Sequence, residues 1–169
     1  MSYRVGLGID FHRFAKGRKL ILGGVKFKYP LGLLGHSDAD VVAHAAADAL
    51  LGACKLGDIG KHFPNTDPKY KDADSLLLLK KCAEMVRKKG FEPVNLDLMV
   101  ILEEPKLAPK LSEMENNLAD AIGISPEEVS IKATRPELMG ALGRKEGIAA
   151  FAVCLVERRQ EGLRHEDRA

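Results

Sequence analysis

Residues 5–12 constrain the fold most, because apolar and polar side chains alternate along this segment. Successive side chains of an extended chain point to opposite faces. One face of a strand here would carry an apolar row formed by Val5, Leu7, Ile9 and Phe11. Asp10 and His12 would project together from the other face. The pattern predicts a first β-strand that presents two side chains capable of binding a metal next to each other.

A third side chain that can bind a metal lies on a predicted helix. The run ADVVAHAAADALLGA has apolar residues at helical spacing and contains His44. Asp10, His12 and His44 would supply one oxygen and two nitrogen ligands and leave a fourth position open. An open position is typical of a metal that takes part in chemistry. The spacing also allows a plainer interpretation, in which Asp10 caps a turn and His12 lies at the surface.

Length and composition indicate an ordinary globular protein. The 169 residues suffice for one well-buried core, so we expect one domain over residues 1–157 and a polar tail over residues 158–169. From Glu157 onward we expect the chain to fray and to contribute no chemistry, His165 included. A net charge of +2 predicts no general attraction to nucleic acid or membranes. The three cysteines are widely spaced in apolar runs, and no leader or membrane-length run is visible, so we expect a cytoplasmic protein.

Hydrophobic patterns predict the order of the remaining elements. Helical spacing predicts helices at residues 40–56, 74–89 and 107–122. Apolar runs predict a hairpin at 19–27 and strands at 94–102, 129–133 and 148–156. The expected fold class is α/β, of the α+β type, with a mixed β-sheet covered by helices. The last strand is almost wholly apolar, so we expect it to be covered on both faces or buried in a subunit contact.

The loop that opens the first long helix is a candidate anion site. His36, Ser37 and Asp38 precede the helix, where free backbone N–H groups and the helix dipole favour a negative charge. His36 could donate a hydrogen bond to a phosphate there. Ser37 or Asp38 could equally be no more than the N-cap of the helix.

Two carboxylates share the helix stripe of His44. Asp40 and Asp48 lie four residues before and after it. Either could hold the second ring nitrogen of a metal-bound His44 and so fix its tautomer. The alternative is that both belong to a solvated face.

Three later segments carry further polar candidates. Asp58, in the turn GDIG, could accept from sugar hydroxyls, and residues 103–106 follow a strand end, where open sheets usually bind ligands. Cations for phosphate are available from Lys132, Arg135 and Arg144. Glu137 could hold a second, harder cation against a diphosphate. The chain has no Walker loop, GxGxxG or GxSxG motif, so phosphate handling would depend on metal and loops.

These motifs follow one another in an order that resembles a known family. The blocks are GIDFHRF, LLGHSDADVVAHAAADALLGA, LGDIGKHFPNTDP, EEPKLAP, IKATRPELMG and GRKEGIAAFAVCLV. Together they are similar to the 2-C-methyl-D-erythritol 2,4-cyclodiphosphate synthases of the non-mevalonate isoprenoid pathway. The resemblance covers about residues 3–157, nearly the whole chain.

The resemblance implies a reaction, its cofactors and an assembly. Members are homotrimers with active sites between neighbouring subunits, and a divalent ion, commonly zinc, is held by the residues that match Asp10, His12 and His44. The substrate is 4-diphosphocytidyl-2-C-methyl-D-erythritol 2-phosphate, whose 2-phosphate attacks the β-phosphorus and displaces cytidine monophosphate. Glu137 matches the residue that binds a magnesium or manganese ion across the diphosphate.

The resemblance also implies which residues bind the substrate. The loop with His36 and Ser37 closes over the erythritol phosphate, and Asp10 and His12 are also among the substrate-binding positions. The substrate site is lined by Asp58, Ile59, Gly60, Phe63, Pro64, Asn65, Thr66 and Asp67. The cytidine pocket matches Leu102, Glu103, Glu104, Pro105, Lys106, Leu107, Ala108, Ala133 and Thr134. Arg135, Glu137 and Arg144 complete the matched set, and the catalytic positions are those of His36 and Arg135.

Two positions depart from the family pattern. Many members have Ala-Thr-Thr-Thr-Glu where this chain has Ala-Thr-Arg-Pro-Glu, and Arg135 replaces a threonine that is given a transition-state role. Arg135 could offer a charged hydrogen bond to phosphate, or turn away and leave its backbone N–H in that role. Ala141 replaces an aromatic residue near the trimer axis, where several members hold an isoprenoid diphosphate beside the arginine that matches Arg144.

Two other functions fit parts of the pattern. Two histidines and a carboxylate with open positions also describe the facial triad of non-haem iron oxygenases, although those enzymes usually carry it on an all-β barrel. The chain could also be a non-catalytic trimeric protein that binds a metal or a nucleotide. Turnover of the cytidyl substrate separates these possibilities.

Overall fold

The structure of the chain is a computed structural model that describes residues 2–159. Its strands are β1 (Tyr3–Ala15), β2 (Leu20–Leu22), β3 (Val25–Phe27), β4 (Gly32–Leu33), β5 (Phe91–Ile101), β6 (Val129–Thr134) and β7 (Gly147–Arg158). Its α-helices are α1 (Val41–Ala53), α2 (Ile59–His62), α3 (Ser75–Lys88), α4 (Leu111–Ile122) and α5 (Gly140–Gly143). Single 3₁₀ turns occur at Pro68–Tyr70, Ala108–Lys110 and Pro126–Glu128.

One mixed sheet organises the described residues. Its strand order is β4-β1-β7-β5-β6, and β2 pairs with β3 as a separate hairpin. β5 and β6 are parallel, whereas β1, β7 and β5 are antiparallel neighbours. The predicted mixed sheet in a single α+β domain is confirmed, and so is the hairpin, whose turn is made by Gly23 and Gly24.

Carboxylate side chains begin the long helices near the predicted positions. Asp40 caps α1 by accepting from the backbone N–H groups of Val42 and Ala43, and Asp74 caps α3 by accepting from Leu76. α4 begins at Leu111, later than predicted, because a 3₁₀ turn with Pro109 occupies the start of that segment. The predicted long loop over residues 57–73 contains the short helix α2 and a 3₁₀ turn.

The prediction that the chain frays from Glu157 is wrong for its first residues. Glu157 pairs with Tyr3 of β1, and Arg158 pairs with Phe91 of β5. The strand β7 is therefore paired with both neighbouring strands up to its last two residues. Backbone pairing compensates there for the polar composition. Residues 160–169, with His165 and most of the predicted tail, lie outside the described residues.

The face of β1 that meets the helices is the one that carries Asp10 and His12. α1 packs against β1 and β7, and Gly6 and Gly8 allow it to approach closely. A Cβ atom at Gly6 would lie 1.9 Å from the carbonyl oxygen of Ala49, and one at Gly8 would lie 2.0 Å from that of Ala45. Glycine is therefore required at both positions.

The predicted apolar row of β1 lies on the opposite, open face of the sheet. Its exposed fractions are 67% for Val5, 60% for Leu7, 43% for Ile9 and 61% for Phe11. Val153 on the neighbouring β7 is 44% exposed and continues the patch. A patch of this kind is typical of a surface that another protein covers.

α1 is buried on almost all sides. It lies between the sheet and α3, and its buried residues include Val41, Val42, Leu50 and Leu51. A helix with apolar residues on all sides is typical of the interior of a fold. His44 is therefore positioned by a helix that is packed on both sides. Within residues 2–159, no helix combines the length and the apolar character needed to cross a membrane.

Candidate active site

Asp10, His12 and His44 form a compact cluster between β1 and α1. The Oδ2 atom of Asp10 lies 3.0 Å from Nε2 of His12 and 3.0 Å from Nδ1 of His44. The two ring nitrogens are 3.3 Å apart. One oxygen and two nitrogen atoms therefore converge within the 4.8 Å span expected of a metal site. The predicted grouping of these three residues is confirmed as a group that could hold a metal.

The remaining ring nitrogens are held by other groups. Nδ1 of His12 lies 2.5 Å from the carbonyl oxygen of Leu34, to which it donates. Nε2 of His44 lies 2.9 Å from Oγ of Ser75 and 3.1 Å from Oγ of Ser37. Partners of this kind orient metal-binding imidazoles in proteins. The donor set therefore fits a divalent metal ion, with Nε2 of His12 and Nδ1 of His44 facing Asp10.

The cluster favours a positive charge at its centre. Burial disfavours the carboxylate of Asp10, but the interactions of this carboxylate with His12 and His44 outweigh burial and lower the pKa of Asp10. Burial likewise disfavours protonated His12, but its hydrogen bond with Asp10 and their attraction raise the pKa of His12. An ionised carboxylate between two imidazoles is suited to binding a cation.

The prediction that Asp40 or Asp48 holds the second nitrogen of His44 is wrong. Asp40 is fully buried and accepts from the backbone N–H groups of Gly23 and Gly24 at 2.9 and 2.7 Å, so it ties the hairpin to α1. Burial raises the pKa of Asp40 to about 6. Asp48 accepts from the N–H of Ile59 at 2.7 Å and so fixes the start of α2. Neither carboxylate is therefore part of a solvated face.

A cavity of about 380 Å³ opens beside the cluster. It is lined by His12, Gly35, His36, Ser37, His44, Ile59, Gly60, Phe63, Pro64, Asn65, Tyr70 and Leu78. Most of the predicted substrate-binding residues before position 66 therefore line this one cavity. Asp58 instead caps α2, and Asp67 caps the next 3₁₀ turn while its carbonyl oxygen lies 3.1 Å from Nε2 of His36. Thr66 is exposed in the same loop.

A second cavity, of about 240 Å³, lies at the ends of β5 and β6. It is lined by Leu102, Glu103, Pro105, Lys106, Leu107, Ala108, Ala133, Thr134 and Arg135. These residues nearly coincide with the predicted cytidine pocket. Glu104 is exposed beside it and forms an ion pair of 2.8 Å with Lys145. The linings of the two cavities share no residue.

The segment after β6 is exposed and carries the other predicted residues. Glu137 and Leu138 have φ values of 52° and 62°, in the left-handed region that glycine favours. The N–H of Leu138 donates to Glu103 at 3.2 Å. Arg144 forms a 2.7 Å ion pair with Glu146. Glu137 and Arg144 do not line either of these cavities in the described part of the chain.

Sequence reasoning missed two features that shape the site. One is the glycine pair of β1, which the alternation G-x-G-x-D-x-H could have indicated, since small residues and ligands share one face. The other is Ser75, which meets His44 across a separation of 31 residues. No local pattern distinguishes Ser75 from an ordinary residue of a helix start.

The fold and the cluster define an α+β protein with a candidate metal site open to a cavity. The profile of the YgbB family matches residues 3–157. The chain therefore belongs to the YgbB family.

Relatives of known name agree along nearly the whole chain. The 2-C-methyl-D-erythritol 2,4-cyclodiphosphate synthase of Chlorobaculum tepidum is 56% identical over 154 residues, covering 91% of this chain and 98% of the relative. The synthase of Dechloromonas aromatica is 55% identical over 158 residues, covering 94% and 99%.

Solved structures share the fold. The bifunctional IspDF of Campylobacter jejuni has a TM-score of 0.90 at 41% identity, covering 93% of this chain and 42% of that protein. The CDP complex of IspF from Plasmodium falciparum has a TM-score of 0.82 at 30% identity, covering 94% and 98%.

Proposed function

We propose that this protein converts 4-diphosphocytidyl-2-C-methyl-D-erythritol 2-phosphate into 2-C-methyl-D-erythritol 2,4-cyclodiphosphate and cytidine monophosphate. An oxygen of the 2-phosphate forms a bond to the β-phosphorus, and the bond from that phosphorus to the α-phosphate oxygen breaks. The observation that carries this proposal is the Asp10–His12–His44 cluster beside a cavity, in a chain 56% identical to a synthase of that name.

Asp10, His12 and His44 would hold a divalent ion, which we propose to be zinc. When bound, such an ion supplies a Lewis acid and a positive charge for phosphate oxygens. The substrate phosphate is already an anion at neutral pH, so the chain needs no general base to create a nucleophile. Its task is to bring two anionic groups together in line.

The first cavity would hold the erythritol phosphate end of the substrate. His36 and Ser37 line it, and His36 faces the carbonyl oxygen of Asp67, which keeps its ring at the cavity edge. We assign the pocket formed by α2 and the following turn, with Ile59, Gly60 and Phe63, to the carbon chain of the substrate. His36 would donate to a phosphate oxygen during the reaction, and Asp58 would accept from hydroxyl groups.

The second cavity would hold the cytidine. Its lining combines apolar walls with the cation of Lys106, which suits a base and the adjacent phosphate. The CDP complex of the Plasmodium falciparum protein supports a cytidine ligand in this fold. Arg135 also lines this cavity, and we propose that its guanidinium contacts the diphosphate in place of the family threonine.

The complete site would be formed between subunits of a homotrimer. The open apolar face of β1 needs a cover, and closed cyclic assembly provides one. One subunit would contribute the metal cluster and its neighbour the cytidine cavity. Glu137, exposed on the segment after β6, would hold magnesium or manganese across the diphosphate, and Arg144 would add a positive charge near the subunit contact.

The other two functions are less well supported. An iron oxygenase usually places its facial triad on a β-barrel, whereas His44 lies on a buried helix here. A non-catalytic binding protein would have the same cluster and the same cavities, and it would differ from the synthase only in the absence of turnover. The names of the relatives favour the synthase over both.

The direct test is to incubate the purified protein with the cytidyl substrate and to measure the released cytidine monophosphate by chromatography. The purified protein should turn over, lose turnover after chelation and regain it with added zinc. His44→Ala should reduce bound zinc from about one ion per subunit to a small fraction, because two ligands hold a labile ion poorly.

The matched control is His62→Ala, since His62 contacts the carbonyl oxygen of Leu56 outside the cluster. It should keep about one zinc ion per subunit. Full zinc occupancy and unchanged turnover in His44→Ala would contradict the site assignment. Cytidine nucleotide binding without any turnover would favour the binding role.

A further inference from the structure

A series of hydrogen-bonded polar side chains, with the buried Ser75 in the middle, continues from the metal cluster to the start of α3. Ser75 is 1% exposed, and its Oγ atom lies 2.9 Å from Nε2 of His44. The same hydroxyl donates to Oδ1 of Asp38. The side chains of His44, Ser75 and Asp38 therefore follow one another from the cluster into the protein.

The carboxylate of Asp38 sets the direction of the hydrogen bonds that link Asp38, Ser75 and His44. The carboxylate of Asp38 can only accept, so the single hydroxyl proton of Ser75 points to it. Oγ of Ser75 is then left as an acceptor, and Nε2 of His44 must donate to it. With its proton on Nε2, the neutral imidazole keeps a free lone pair on Nδ1, the atom that faces Asp10 at 3.0 Å.

Asp38 is itself fixed by several backbone contacts. Its Oδ2 accepts from the N–H of Ser75 at 3.2 Å, and its Oδ1 accepts from the N–H of Asp40 at 3.2 Å. Its own N–H donates to the carbonyl oxygen of Ala73 at 3.0 Å. The carboxylate thus joins the loop before α1 to the start of α3 and cannot turn away from Ser75 without breaking these bonds.

Ser37 offers a second oxygen to His44 but does not set the same direction. Its Oγ lies 3.1 Å from Nε2 of His44 and 3.3 Å from Oγ of Ser75, and it accepts from the N–H of Ala39. No carboxylate orients the proton of Ser37 in the hydrogen bonds described for it. Its hydroxyl can therefore donate elsewhere, including to a ligand in the first cavity.

We infer that Ser75 and Asp38 are positioning residues for the metal site, which hold His44 in the tautomer and ring orientation that leave Nδ1 free for a metal ion. The inference rests on the metal site proposed above. His12 is prepared in the corresponding way, since the carbonyl oxygen of Leu34 accepts a hydrogen bond from its Nδ1 and leaves Nε2 facing Asp10. Both imidazoles are thus oriented from behind by groups that do not touch the metal.

Zinc affinity is the measurement that tests this inference. We would measure the dissociation constant of zinc by competition with a chromophoric chelator, and record the visible spectrum of the cobalt-loaded protein. Ser75→Ala removes the acceptor behind His44 and should weaken zinc binding by about 10-fold to 100-fold. Ser75→Thr keeps the hydroxyl and should restore most of the affinity and the cobalt spectrum.

Asp74→Ala is the matched control for a merely structural effect. Asp74, one residue before Ser75, caps α3 by accepting from the N–H of Leu76 at 2.8 Å. It takes no part in the hydrogen bonds that link Asp38 and Ser75 to His44. Its loss should lower the thermal unfolding midpoint and leave the zinc dissociation constant within about twofold of wild type. Equal losses of zinc affinity in Asp74→Ala and Ser75→Ala would overturn the inference.

Asp38→Asn tests the pair from its other end. An amide accepts more weakly and cannot replace both carboxylate oxygens, so zinc binding should weaken while Ser75 stays in place. Because Asp38 acts through Ser75, the double variant should lose little more affinity than Ser75→Ala alone. If Ser75→Ala does not fold, unchanged affinity in Asp38→Asn is enough to overturn the inference.

The outcomes separate this inference from the proposed function. If the wild-type protein binds no zinc, or if His44→Ala binds it normally, the proposed metal site itself is wrong. If wild type binds zinc and His44→Ala does not, but Ser75→Ala binds like wild type, only the positioning role is wrong.

Discussion

The two faces of β1 differ in a way that reverses the usual arrangement. Towards α1 the strand presents Gly6, Gly8, Asp10 and His12, two residues without side chains and two that are polar. Towards the open side it presents Val5, Leu7, Ile9 and Phe11. The polar face is covered within the subunit, and the apolar face is left exposed.

The difference indicates that the two faces of β1 have separate roles. The covered face brings α1 close enough for His44 to meet Asp10 and His12, and glycines make this approach sterically feasible. The open face makes no such site, but its apolar side chains have the character of an interface. We therefore expect changes on the covered face to affect stability and metal, and changes on the open face to affect assembly.

Leu7→Asp should have the largest effect and should act on assembly. A carboxylate in the middle of the open patch is solvated in the monomer but would be desolvated in a subunit contact. Light scattering should report a fall from about three times the 18.4 kDa subunit mass to that of a monomer, with turnover lost.

The control for this change is Leu77→Asp, at a side chain that is 58% exposed on α3, away from β1. It should leave the mass unchanged. A Leu7→Asp protein that keeps the wild-type mass and turnover would exclude the open face as an interface.

Gly8→Ala should destabilise the covered face. The added methyl group would lie 2.0 Å from the carbonyl oxygen of Ala45, so α1 must move away from β1. We expect a loss of about 3 kcal/mol or more in the free energy of unfolding, measured in urea, together with weaker zinc binding.

Gly52→Ala is the matched control because Gly52 also lies in α1, but a Cβ atom added there would lie 3.8 Å from the carbonyl oxygen of Leu7, an ordinary van der Waals distance. It should be neutral or stabilise by up to about 1 kcal/mol, since alanine is the better helix former. Equal stabilities of the two variants would mean that close approach is not required at Gly8.

The same comparison explains which parts of the molecule were predictable from sequence. The alternation in β1 and the periodicity around His44 are local patterns, so they placed Asp10, His12 and His44 correctly. Alternation cannot say which face meets a helix, because that depends on tertiary packing.

Contacts between distant segments escaped prediction for the same reason. Asp38 and Ser75 are separated by 37 residues, and each reads locally as a loop or cap residue. The extension of β7 through Arg158 likewise depends on its pairing with Phe91, which the polar composition does not reveal.

Mixing two inactive variants tests whether the two cavities join across the open face. His44→Ala removes a metal ligand, and Ala133→Trp fills the second cavity with an indole ring. In trimers assembled at random from equal amounts, about a quarter of the sites between subunits combine an intact metal cluster with an intact cytidine cavity. Turnover should rise towards about a quarter of wild type. Verified mixed trimers without any turnover would mean that one chain builds the whole site.

Glu137→Gln should have the smallest effect, because it changes one ligand on the exposed segment and neither face of β1. The amide keeps the volume of the side chain but binds a hard cation more weakly. We expect zinc content to stay near wild type while turnover needs several-fold more magnesium, with Glu127→Gln in the 3₁₀ turn Pro126–Glu128 as the unaffected control. An unchanged magnesium titration in Glu137→Gln would remove this residue from the second metal site. A parallel loss of zinc would instead mean that Glu137 and the Asp10–His12–His44 cluster share one metal.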